Sequence, residues 1–139
     1  MILVRKYFKD RCKAIGLTEW ADAFNYENIP SNLINFSFFI DSPTFQSAKV
    51  LTNFDQEINC TVDVRYFVKG YRTPNEAMDK AIEKAESLLI ECLKPTNRLG
   101  SCLKNCVFNT INIEPIGATN DNLIMVTANF TAFTSLKIE

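Results

Sequence analysis

From Ile58 to Lys69 apolar and polar residues alternate without interruption. Ile58, Cys60, Val62, Val64, Tyr66 and Val68 fall on one side of an extended chain, and Asn59, Thr61, Asp63, Arg65, Phe67 and Lys69 fall on the other. A strand of this length belongs to a sheet that is covered on one face and meets water or a partner on the other. A helix start follows at once. In Thr73-Pro74-Asn75-Glu76 the Thr hydroxyl and the Glu carboxylate can each satisfy a backbone N–H that the first turn leaves unpaired, and proline suits the first helical position. Ala77, Met78, Ala81, Ile82, Ala85, Leu88, Leu89, Cys92 and Leu93 then form one apolar stripe, closed by Lys94-Pro95.

The remaining elements are arranged around this strand and helix. Val4, Tyr7, Phe8, Cys12 and Ile15 recur at helical spacing and stop at Gly16. Thr18 to Phe24 adds at most a short turn, and Asn25 to Asn32 reads as a loop. Leu33 to Ile40 is expected as a strand because Ile34, Phe36, Phe38 and Ile40 alternate with Asn35 and Ser37. Asp41 to Asp55 is too long for a tight turn and reads as an arm or a twisted hairpin extension. After a loop over Thr96 to Asn105, Val107, Ile111 and Ile113 mark a further strand. A connection from Pro115 to Asp121 leads to the last strand, whose two faces are Ile124, Val126, Ala128, Phe130, Ala132 and Met125, Thr127, Asn129, Thr131, Phe133. The predicted order is α-β-β-α-β-β. Locally joined strands favour an antiparallel sheet of about four strands, with both helices on one face of a two-layer α+β domain. At 139 residues the chain, 1–139, fits one structural domain with a protruding arm at about 41–55.

Composition removes several classes of chemistry. There is no histidine, so imidazole triads and His-ligated metals are excluded. The five cysteines, Cys12, Cys60, Cys92, Cys102 and Cys106, read as reduced core thiols, since C-x3-C at Cys102 and Cys106 has no second ligand pair. Neither Cys60 nor Cys106 has a base to activate it as a nucleophile. The four glycines are isolated and build no phosphate loop. Glu76, Asp79, Glu83, Glu86 and Glu91 are interspersed with Lys80 and Lys84, as on a solvated helix face. The expectation is therefore no enzyme, no catalytic residue, no cofactor and no metal. A net charge of −1 offers no broad basic field for nucleic acid. No apolar run reaches membrane-spanning length, and the start of the chain does not resemble a secretory signal. The Asn-x-Ser/Thr matches at Asn35, Asn59 and Asn129 lie inside expected strands and read as chance matches in a cytosolic product.

What the core does not claim is a surplus of apolar side chains. Phe39, Phe67 and Phe133 sit on otherwise polar strand faces, and Phe45, Val50, Leu51 and Phe54 sit in the arm. Together they form the candidate protein interface, because several such residues on one face and its adjoining arm are rarely left wet. Open strand edges add a second route to partners.

In its order of elements the chain resembles the tail terminator proteins of long-tailed bacteriophages. The likeness rests on the N-terminal helix, Ile29-Pro30 ahead of the strand at Leu33 to Ile40, the long arm, and Val62 to Val68 running into Thr73-Pro74-Asn75-Glu76. It closes with Asn120-Asp121-Asn122-Leu123 leading into Ile124 to Leu136. The resemblance implies a non-enzymatic virion protein of the tail or neck, made in the host cytoplasm. Its copies would form a homo-oligomeric ring, commonly a hexamer, that stops growth of the tail tube and joins it to the head completion or connector protein. It implies no membrane and no specific nucleic acid, although DNA would pass through the ring, and it assigns no residue a role. The other reading compatible with these two layers is a small cytosolic ligand-binding or regulatory domain.

Overall fold

The computed structural model describes residues 2–20, 33–41, 43–50, 55–116 and 122–137. Nine elements follow one another in it: α1 (Ile2–Ala14), β1 (Thr18–Glu19), β2 (Ser37–Ile40), β3 (Thr44–Val50), β4 (Asp55–Val68), α2 (Pro74–Leu93), α3 (Pro95–Arg98), β5 (Asn105–Pro115) and β6 (Ile124–Lys137). The class is α+β. The sheet has six strands, in the order β1-β2-β4-β6-β5 with β3 also paired to β4, and not about four. It is mixed because β1 pairs parallel with β2, Thr18 opposite Ser37, while every other pairing is antiparallel.

The long alternating run of β4 makes it the central strand. Along one edge it pairs with β6 over its whole length, from Asp55 opposite Lys137 to Val68 opposite Ile124. Its other edge is shared. The C-terminal half of β4 takes β2, with Ile40 opposite Val64, and the N-terminal half takes β3, with Thr44 opposite Thr61. The segment expected as an arm thus contributes β3 as a hairpin partner of β4, and residues 51–54 between the two strands lie outside the described residues.

Helix α1 is followed by a turn at Gly16, whose φ of 89° is available to glycine without a side-chain clash, and the N–H of Leu17 returns to the carbonyl of Cys12 at 3.1 Å. Helix α2 starts where the sequence predicts: Thr73 is extended, Pro74 is the first helical residue, and the Glu76 N–H donates to Thr73 Oγ1 at 3.1 Å, the Thr half of the expected capping box. Both helices cover the same sheet face. Cys60, Val62, Val64, Tyr66 and Val68 of β4 and Val126, Ala128, Phe130 and Ala132 of β6 are inaccessible beneath them. Two phenols brace the packing: Tyr66 Oη, from the sheet, donates to the Ala81 carbonyl of α2, and Tyr7 Oη, from α1, donates to the Cys92 carbonyl of α2, each at 2.7 Å. Burial raises the pKa of both, so they stay protonated donors.

Two expectations about strands are corrected. The strand expected over Leu33 to Ile40 begins only at Ser37, because Asn35 and Phe36 form a turn and Phe36 adopts φ 61°, a conformation that costs a bulky side chain. That turn is held from three sides. The Phe36 N–H donates to the Phe67 carbonyl at 2.8 Å, its carbonyl accepts from Thr18 N–H at 2.9 Å, and Lys84 Nζ lies 4.7 Å from its ring centre. The short turn expected at Thr18 is instead β1, which exists only because β2 lies beside it. The loop expected from Thr96 to Asn105 carries the helical turn α3, begun at Pro95.

Candidate protein interface

The four candidate side chains among the described residues, Phe39, Phe45, Phe67 and Phe133, do not converge. Phe67 is fully buried within its own chain, where it packs with Leu33 and Met125, so its candidacy is withdrawn. Phe39 is half-buried against the same cluster, and its ring stacks on that of Phe67 with centroids 6.1 Å apart. The reason is visible in the register: Ser37 faces Phe67 and Phe39 faces Arg65, so the two aromatics are diagonal neighbours on the face away from the helices. Trp20, Ile116 and Leu123 complete the covering of this end. Phe133 is half-buried farther along that face, between Asn59 and Asn105 on the neighbouring strands. Phe45, directly opposite Cys60, belongs to the helix-side face and is 39% exposed. Val50 pairs with Gln56, but its side chain lies outside the described residues, as do Leu51 and Phe54 entirely.

A polar belt separates Phe39 and Phe67 from Phe133. Arg65 Nη1 donates to Thr127 Oγ1 at 2.8 Å, and Arg65 Nη2 lies 3.7 Å from Asp63 Oδ2. Asn129 Nδ2 donates to Asp63 Oδ1 at 2.8 Å, and Asn109, at a bulge of β5, donates to Asn129 and Thr131 at 2.8 and 2.7 Å. These side chains satisfy one another across three strands. They make this face a fixed polar surface between two apolar ends.

The apolar surface that sequence reasoning missed lies at the side of the molecule. The nine residues of the apolar stripe of α2 span roughly 160° of its circumference, more than the sheet can cover. Met78, Leu89 and Leu93 are half-buried along the margin toward β5, and Ile82, expected within the buried stripe, is 41% exposed. Phe108, Ile111 and Ile113 of β5 are also only partly buried. The width of the stripe was the available signal, since residues at its edge must emerge beside the sheet.

Among the described residues, two open hollows lie elsewhere. One of about 340 Å³ runs between α1 and residues 97–102, past Leu3, Tyr7 and Leu99. Its charges are already engaged: Lys6 with Asp10 at 2.8 Å, and Arg11 with Glu91 at 3.2 Å. The other, of about 190 Å³, is bordered by Phe36, Tyr71, Lys80, Glu83, Lys84 and Ser87. There Lys84 Nζ donates to the Ile15 carbonyl at 2.8 Å and Lys80 pairs with Glu83 at 3.6 Å.

Burial shifts every thiol in one direction. Cys60 is pushed up to about 11 and Cys106 to about 12, and Cys12, Cys92 and Cys102 are raised by the same desolvation. All five are free cysteines. Among the described residues no three Cys, Asp or Glu side chains gather where a cation could bind, and no helix is long and apolar enough to cross a membrane. No protein-family model matches the chain, and no curated protein shows significant similarity to it.

Proposed function

We propose that this chain is a non-enzymatic structural subunit of a long-tailed bacteriophage, a tail terminator. Its copies close into a ring, expected to hold six, at the end of the tail tube, where the ring stops tube growth and meets the head completion or connector protein. In this reading the protein is made in the host cytoplasm and resides in the virion. The observation that carries it is the sheet extension. Thr44, Phe45, Gln46 and Ser47 of β3 are all exposed, and β3, the start of β4 and the end of β6 pair with one another out to Val50, Gln56 and Leu136. A small domain gains little for its own core from strands in this position, whereas a neighbouring subunit or tube protein gains an edge and an apolar ring to pack on. A pocket-based role finds less support among the described residues, because the charges around the two hollows there are engaged in intrachain pairs.

The test removes the extension. Phe45 and Cys60 are cross-strand partners, so residues 46–59 can be replaced by Asn-Gly to close a two-residue hairpin between them. Circular dichroism is expected to keep its native shape, while negative-stain images of the shortened protein mixed with tail tubes are expected to show neither rings nor capped ends. Capped tubes of normal length would overturn the reading.

A further inference from the structure

The two helices of the covering layer carry opposite charge and expose it on opposite sides. Helix α1 has Arg5, Lys6, Lys9, Arg11 and Lys13 against Asp10 alone. Helix α2 has Glu76, Asp79, Glu83, Glu86 and Glu91 against Lys80 and Lys84. Where the helices face each other the charges are matched or turned inward, by Arg11 with Glu91 and by Lys84 on the Ile15 carbonyl. The far flank of α1 faces β1 and β2. Lys9 and Lys13 each reach Glu19 at 3.1 Å, and Arg5 Nη2 donates to the Ile40 carbonyl at 3.3 Å, leaving that flank net basic. The far flank of α2 has Asp79 and Glu86, exposed and without an ion pair among the described residues, beside the uncovered margin at Ile82.

The sheet beneath has the same polarity. β5 lies at one edge and pairs only with β6, and β1 and β3 lie at the other, all among the described residues. One side of the molecule therefore presents an open strand, an apolar margin and carboxylates. The opposite side presents open strands, the exposed Phe45 and lysines. A surface of this kind rejects its own mirror contact, because two acidic flanks repel, and accepts the other flank of a second copy.

We infer that the α2–β5 flank of one copy seats against the α1–β1 flank and β3 edge of the next, in a head-to-tail contact repeated from subunit to subunit. The inference rests on the proposed self-assembly and names the surfaces that perform it. Head-to-tail contacts generate a ring when the rotation per subunit closes. Opposite charges on the two flanks set the direction of addition, and the apolar margin supplies the desolvated centre of the contact.

Two charge-reversed chains test it. The first carries Asp79→Lys and Glu86→Lys. The second carries Lys9→Glu, Lys13→Glu and Glu19→Lys, which keeps the pairing between residues 9, 13 and 19 while inverting the flank. Circular dichroism establishes that both fold, and light scattering after size exclusion at low ionic strength reads their assembly. Each alone is expected to assemble about tenfold more weakly than wild type or worse, since its flanks now repel. Mixed in equal amounts, they are expected to regain the wild-type mass with the two chains in equal number by native mass spectrometry. Unchanged assembly of either chain alone, or a mixture that stays dissociated, would overturn the inference while leaving the proposed function standing. A wild-type chain that is monomeric both alone and on tail tubes would overturn the two together.

Discussion

Arg65 Nε donates to Asp41 Oδ2 across 3.1 Å, joining the centre of β4 to the residue that follows β2 and begins the path to β3. The Asp41 N–H also donates to the Asp63 carbonyl at 3.0 Å. These bonds keep the chain on β4 while it passes from one strand to the next, so β2 and β3 read as one edge with a break. Only the Arg65 side chain is well shielded, at 14% exposure against 42% for Asp41, so the pair is worth more as a positional constraint than as stability.

Asp41→Ala is accordingly expected to cost less than about 1 kcal/mol in global stability. Its effect should concentrate in β3, whose amides lose an anchor at one end. Hydrogen exchange is the measurement: faster exchange over Thr44–Val50 with unchanged protection of the paired residues of β4 and β6 is expected. Equal protection of β3 in both proteins would show that Asp41 does not hold the break.

Thr73→Ala removes the acceptor of the Glu76 N–H at the start of α2 and is expected to cost about 1 kcal/mol, read from the denaturation midpoint. Thr73→Ser keeps the acceptor and should recover most of the loss. An Ala variant as stable as wild type would mean that the first turn is satisfied without its cap.

The thiols predict an alkaline weakness. A group whose pKa is raised by folding holds its proton more tightly in the native state, so its contribution is complete below the unfolded value and is lost as pH rises. Here the window opens near the ordinary thiol value of 9.0 and extends to about 11 for Cys60 and about 12 for Cys106. Thermal midpoints are expected to be level below that window and to fall within it. At mildly alkaline pH a thiol reagent should label Cys102 first, since the other four are buried, and reach those four only on unfolding. Rapid labelling of all five in the native state would contradict this packing.

Periodicity along the chain determined what each strand and helix would be and which side of it would be dry. The helix-side face of β4, the face of β6 and the start of α2 all follow from local pattern, because side-chain direction repeats every two residues in a strand and every 3.6 in a helix. It also marked Asp41 to Asp55 as more than a turn, since fifteen residues between two strands exceed what a turn needs, and β3 lies within that segment. What covers a face is a long-range matter. Phe67 looked available to a partner because its neighbours on the same strand face, Arg65 and Lys69, are polar, yet Leu33 and Met125 arrive from distant parts of the chain to bury it. Phe36 looked like a strand residue, but hydrogen bonds from Thr18 and to Phe67 hold it at φ 61°, and only a folded neighbourhood can fix a bulky residue there. β1 and the shared edge of β4 likewise exist only as pairings. Local sequence sets the faces of each element, whereas the tertiary structure decides which faces meet, because that depends on contacts between residues far apart in the chain.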